Sequence, residues 1–248
     1  MPTNESGHAK NVALFGDLIT GVQSMGDKYH PTIPLLEISS LQAKHTSAKS
    51  VMNTVQTAEP PYRIAVTQRQ GAYDKMSPLA ARIIGMLVAS DVDPGQIAEA
   101  RSIIKKITGN QGKKKNPEQP EAPGGTTGGE EPPKSISTSQ QSYDMRKSNF
   151  ERLIALLKNL PAYAPFEEDL KIPALEAYDA SLETYNKSCD ETETAYEITR
   201  NKRDELLYTG PENLANIVKK VKNYVKGALG ATSPEYKRIN GIAFRRLI

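Results

Sequence analysis

The sequence predicts an all-α protein: two tandem, internally duplicated, antiparallel helical-bundle units joined by a disordered linker. Three observations carry this prediction. Apolar residues recur at steps of three and four through most of the chain. Short motifs of the first half return in the same order in the second. Between the halves, residues 109–145 are dominated by Pro, Gly, Ser and charge, with almost nothing to bury, and such a segment cannot offset the entropy of ordering itself. The expected organisation is a disordered N-terminus over 1–10, a helical unit over 11–108, a flexible linker over 109–145 and a second helical unit over 146–248.

In the first half, Val12, Phe15, Leu18, Ile19 and Val22 lie on one face of a helix over Asn11–Met25. A second helix is expected from Leu35 to about Ala58, with Ile38, Leu41, His45, Ala48, Met52 and Val55 as a coiled-coil-like seam. Pro60-Pro61 should kink or break it, because neither residue can donate the i-to-i−4 hydrogen bond. Helical character resumes through Tyr62, Val66 and Tyr73. Ser77-Pro78 starts the next helix, and Asp93-Pro94 starts another through Ile107, with Asp93 as its cap.

The second half repeats this order. Phe150, Leu153 and Ile154 echo Phe15, Leu18 and Ile19, and Ile172-Pro173 echoes Ile33-Pro34 as a helix start. From Ile172 to Tyr208 no proline interrupts, so one rod of about 55 Å is expected, with a seam of Leu175, Tyr178, Leu182, Tyr185, Cys189, Thr192 and Tyr196. Leu214, Ala215, Ile217 and Val218 match Ala80, Ala81, Ile83 and Ile84. A last helix starts at Ser233-Pro234, capped by Thr232 or Ser233, and stops at Gly241, leaving an irregular tail.

Bulk properties narrow the function classes. A mean hydropathy of −0.54 is that of a water-soluble chain, and no apolar run approaches the roughly 20 residues of a membrane span. The start, MPTNESGHAK, lacks the apolar core of a secretory signal. The single Cys189 fits a reducing compartment, so a cytoplasmic location is expected.

Chemistry-bearing motifs are scarce. His8, His30 and His45 are too scattered for a metal spacing, and neither H-E-x-x-H, C-x-x-C nor a phosphate-binding glycine loop occurs. His45 and Cys189 fall on apolar seams and read as core residues. The acidic groups Glu167-Glu168-Asp169 and Asp190-Glu191-x-Glu193 lack the glycine and ligand ladder of a calcium loop. They read as helix-terminal and solvated charge. No catalytic residue, metal or cofactor is therefore assigned.

Charge is uneven although the net is only +3. Residues 167–212 are acidic and 219–246 basic. Two antiparallel helices of one bundle can complement each other this way; a basic end offered to an acidic partner is the sharper reading. Lys219, Lys220, Lys222, Lys226, Lys237, Arg238, Arg245 and Arg246, with Tyr224 and Tyr236 among them, form the candidate nucleic-acid contact.

Tyr224-Val225-Lys226 followed by Ala231-Thr232-Ser233-Pro234-Glu235-Tyr236-Lys237, together with Asn149-Phe150, Leu160, Tyr163 and Pro165, resembles a group of uncharacterised helical-repeat proteins of Bacteroidetes bacteria. Asp91-Val92-Asp93 and the Ile103–Ile107 helix resemble their N-terminal partner unit. The resemblance implies a helical, intracellular bacterial protein and brings no activity. The expectation is thus a non-enzymatic scaffold that binds protein partners or itself; the alternative is nucleic-acid binding through the basic C-terminal helices.

Overall fold

In a computed structural model, which describes residues 5–109 and 142–247, the regular structure is all helical, and no strand occurs among the described residues. The α-helices are α1 (Glu5–Gln23), α2 (Ile38–Asp74), α3 (Met76–Ala89), α4 (Pro94–Thr108), α5 (Tyr143–Lys158), α6 (Ile172–Asp204), α7 (Leu214–Leu229) and α8 (Pro234–Asn240). A π-helical turn, Glu205–Thr209, extends α6, and 3₁₀ turns at Pro34–Leu36 and Glu168–Leu170 precede α2 and α6. No described helix is long and apolar enough to cross a membrane.

Local chemistry sets most of the helix starts. Asp93, Ser142, Asn213 and Ser233 each cap a helix by accepting a hydrogen bond from a backbone N–H in its first turn. At α8 the cap is Ser233 rather than Thr232. Gly109 and Gly230 end α4 and α7 at φ values of 72° and 88°, which strain any side chain with a Cβ.

Four sequence expectations are corrected. Residues 5–10, expected to be disordered, are the first turns of α1, and His8 is buried there. Ile33-Pro34 does not start a helix as Ile172-Pro173 does: Pro34 opens a 3₁₀ turn, and α2 begins at Ile38. Proline suits the first turn of either kind of helix, so the matching dipeptide misaligned the two segments. The linker expected over 109–145 lies largely outside the described residues, but residues 143–145 belong to α5.

The fourth correction concerns the break that was one of two outcomes expected at Pro60-Pro61: both residues lie inside α2 without ending it. Both prolines face solvent, while Val55 and Ala65 on either side are buried. The Glu59–Arg63 ion pair straddles them, and Tyr62 stacks on Tyr196 at 5.7 Å. Packing along the buried face outweighs the two lost hydrogen bonds.

The chain forms two compact units: unit 1 holds Met1–Ile64 and Glu191–Ile248, and unit 2 holds Ala65–Asp190. This grouping departs from chain order, which would set 11–108 against 146–248. The reason is length. At 1.5 Å per residue, α2 and α6 run about 50 Å, beyond the roughly 30 Å of a small domain, so their two ends serve different cores.

In unit 1, Phe15, Leu18, Ile19 and Val22 of α1 meet Leu36, Leu41, Leu207, Tyr208 and the Leu214, Ile217, Val221 and Val225 face of α7. In unit 2, Tyr73, Met76, Ile83 and Leu87 meet Ile103 and Ile107 of α4 and Phe150, Leu153 and Leu157 of α5, closed by Leu170, Leu175 and Leu182. Each of these large side chains contributes about 1.5–3 kcal/mol by leaving water. The seam positions expected on α6 are all buried or half-buried.

Candidate functional site

The basic C-terminal segment divides into two groups once folded. Lys219, Lys220, Lys226, Lys237 and Arg245 expose their side chains, which have no partner among the described residues. The other three are tied down. Lys222 donates from Nζ to the carbonyl oxygens of Asn240 and Ile242 at 3.0 and 2.7 Å, closing the end of α8; burial lowers its pKa. Arg246 donates from Nη2 to the Tyr208 carbonyl at 3.2 Å, and Arg238 donates to the Ser24 hydroxyl at 3.1 Å.

Among the described residues none of the eight makes an ion pair. Asp179 and Glu183 lie within ion-pair distance of Lys147, Glu176 of Lys158, Asp190 of Arg69, and Glu212 of Lys44. No ion pair joins the acidic long helix to the eight basic residues among the described residues; these carboxylates meet cations from other elements.

Lys219, Lys222 and Arg246 line one pocket of about 390 Å³ in unit 1. It forms where the π-helical turn, one side of α7, the end of α8 and the tail come together. The α7 residues Ala215, Lys219 and Lys222 share a face through their three- and four-residue spacing, beside the apolar face that enters the core. The tail is held by its own apolar residues, since Ile242, Phe244 and Leu247 pack on the unit 1 core. Asn216, Asn240, Tyr208 and Phe244 also reach the pocket. The sequence offers no signal for these four, because their convergence depends on a tail folding back on distant helices.

The histidines are structural in placement. His8 Nδ1 lies 2.8 Å from the Tyr208 hydroxyl. His30 is exposed, and His45 is half-buried beside Phe15, with no hydrogen-bond partner for its Nε2 among the described residues. Burial, then the nearby Lys49, lowers the His45 pKa over the opposing pull of a backbone hydrogen bond at Val12. Cys189 is wholly buried, as its seam position predicts.

Of the acidic groups, Asp169 pairs with Arg82 through both carboxylate oxygens, Glu168 pairs with Lys171, and Glu193 accepts from Tyr62 at 3.4 Å. Among the described residues no three His, Cys, Asp or Glu side chains gather in a metal-binding arrangement.

In unit 2, an apolar groove of about 360 Å³ is lined by Pro78, Leu79, Ala174 and Tyr178, with Lys75 and the Arg82–Asp169 pair at its rim. Three residues before Asp169 stands Phe166, 91% exposed. Its loop is anchored on both sides: Pro165 is buried, and the Tyr163 hydroxyl donates to the Leu170 carbonyl at 2.9 Å. No family model, curated protein or solved structure matches this chain.

Proposed function

We propose that the chain is a non-enzymatic protein-interaction protein, built from a duplicated helical segment and located in the cytoplasm. The observation that carries this reading is Phe166, a nearly fully exposed aromatic ring on an anchored loop. Burying a phenylalanine ring against a partner contributes about 1.5–3 kcal/mol relative to leaving it in water. Photo-crosslinking tests it. A photoreactive phenylalanine at position 166 of the full chain should form adducts with one protein, or with a second copy of this chain. A probe at exposed Gln70 should not. No adduct from position 166 would count against the reading, as would a substrate whose turnover a point mutation abolishes.

Duplication is supported by paired geometry. The Tyr29 hydroxyl donates to the Leu36 carbonyl at 2.7 Å, and the Tyr163 hydroxyl donates to Leu170, each seven residues on. Both pairs precede an α-helix that opens with isoleucine, Ile38 and Ile172. Phe15, Leu18 and Ile19 are buried in one unit as Phe150, Leu153 and Ile154 are in the other. On this reading each compact unit pairs the front of one copy with the back of the other. Cleavage at a protease site placed within residues 110–141 should leave the two fragments bound together; their separation on a sizing column would contradict the exchange. Kinship with the Bacteroidetes helical-repeat proteins belongs to the same proposal and rests on the closing motif of α7 and α8.

Nucleic-acid binding is the second reading, favoured by five exposed basic side chains that have no partner among the described residues. It predicts salt-dependent retention on DNA or RNA, lost on changing Lys219, Lys220 and Lys226 to Glu. Lys222 is left out of that test because its ammonium holds the end of α8.

A further inference from the structure

Among the described residues, the pocket against α7 gathers three cations and no acid. Two of them are held by neutral groups, Lys222 by the Asn240 and Ile242 carbonyls and Arg246 by the Tyr208 carbonyl. A carbonyl orients a cation without cancelling its charge. Elsewhere the protein answers cations with carboxylates, as at Lys147, Lys158 and Lys44. Three positive charges around about 390 Å³ repel one another, and an anion in their midst would remove that cost.

The chemistry of the lining narrows the anion. An ammonium has three donors and a guanidinium five, so Lys222 keeps one N–H, Arg246 keeps four, and exposed Lys219 keeps all of its own. Convergent charged donors of this kind suit a phosphate. Beside them Phe244, half-buried and tilted 62° to the Tyr208 ring, supplies an aromatic wall. Asn216 and Asn240 each offer an amide donor and acceptor for the edge of a heterocycle. The volume falls in the range of small-molecule sites and suits a single nucleotide rather than a strand.

The geometry points to a nucleoside monophosphate site in this pocket, with the phosphate on Lys219, Lys222 and Arg246 and the base against Phe244. A polymer is the poorer fit, since Lys222 and Arg246 are fixed at a pocket instead of spread along a face.

Calorimetric titration of the full chain with each of the four common nucleoside monophosphates tests this. At least one should bind saturably, one to one, and at least about tenfold tighter than its nucleoside or inorganic phosphate alone. Lys219→Gln and Arg246→Gln should each weaken it by about tenfold or more, the loss of a charge-assisted hydrogen bond. Lys219 is exposed and unpartnered, so its variant tests the site without disturbing the fold. The proposal is overturned if none of the four binds, if the Lys219 variant binds as tightly as the parent, or if the nucleoside alone binds as tightly. It is also overturned if a single-stranded oligonucleotide binds tighter than any monophosphate and loses that binding in the same variants.

Discussion

The side chain of Asn11 brackets the peptide of Arg245: Nδ2 donates to the Arg245 carbonyl at 2.6 Å, and Oδ1 accepts from the Arg245 N–H at 3.1 Å. The remaining amide hydrogen goes to the Tyr208 hydroxyl at 2.8 Å. A buried asparagine thus holds the tail as a neighbouring strand would. Asn11→Ala should lower stability by about 1–3 kcal/mol, since it leaves buried partners unsatisfied. It should also speed amide exchange selectively over residues 242–247. Asn11→Asp, which keeps the acceptor and loses the donors, should do nearly as much harm. An unchanged denaturant midpoint in both variants would refute the role.

Tyr163 and Tyr178 give the fold a sensitivity to alkali. Burial lifts both phenols to about 12, over the opposing pull of Arg82 on Tyr163 and Arg146 on Tyr178. Unfolded tyrosine titrates near 10. The folded state therefore holds these protons more tightly, so the stability they contribute is complete below pH 10 and drains away as pH rises towards 12. Urea midpoints measured from pH 8 to 12 should stay level and then fall. The Tyr163→Phe, Tyr178→Phe double variant should begin lower, by about 1 kcal/mol per lost hydrogen bond, and fall less steeply.

His45 and Gly16 should be energetically coupled. A Cβ built on Gly16 meets His45 Cε1 at 2.9 Å and Nε2 at 3.1 Å, so the ring needs the glycine's missing side chain. Gly16→Ala is expected to destabilise the parent protein. In a His45→Ala background the same change should stabilise by about 1 kcal/mol, the ordinary helical preference of alanine over glycine. Additive effects in that double-mutant cycle would rule the coupling out. With its folded pKa depressed, His45 contributes stability above its unfolded value near 6.5. That contribution is lost as pH falls, and a proton NMR titration of the ring should show a midpoint below 6.5.

Pro60 and Pro61 are carried by α2 at a cost. Replacing both by alanine restores the N–H donors to the carbonyls of Gln56 and Thr57 and relieves ring clashes. Stability should rise by the order of 3 kcal/mol, read as an upward shift in Tm. A fall would mean that a bend at this point is required by the packing of Tyr62 on Tyr196.

What the sequence makes legible is local. The seams of α2 and α6, the cap at Asp93, and the burial of Cys189 follow from spacing and side-chain chemistry alone. What it hides is settled by partners far along the chain. His8 sits in a polar stretch that reads as frayed, yet it is 2% exposed because Tyr208, 200 residues away, accepts it into the core. Of the pocket, the basic residues Lys219, Lys222 and Arg246 stand out as charge, whereas Asn216, Asn240 and Phe244 carry no local mark. Lys222 also shows that a lysine in a basic run can be a cap for its neighbour.

The division into units carries a consequence for synthesis. Unit 2, residues 65–190, is continuous and can complete its core while the chain is still being made. Unit 1 cannot. The apolar face of α1, with Phe15, Leu18, Ile19 and Val22, leaves the ribosome long before the α7 face that covers it. At roughly 5–20 residues per second, α1 waits on the order of ten seconds or more for its partner. Unit 2 folds before unit 1 can, and α1 is the segment most in need of a chaperone.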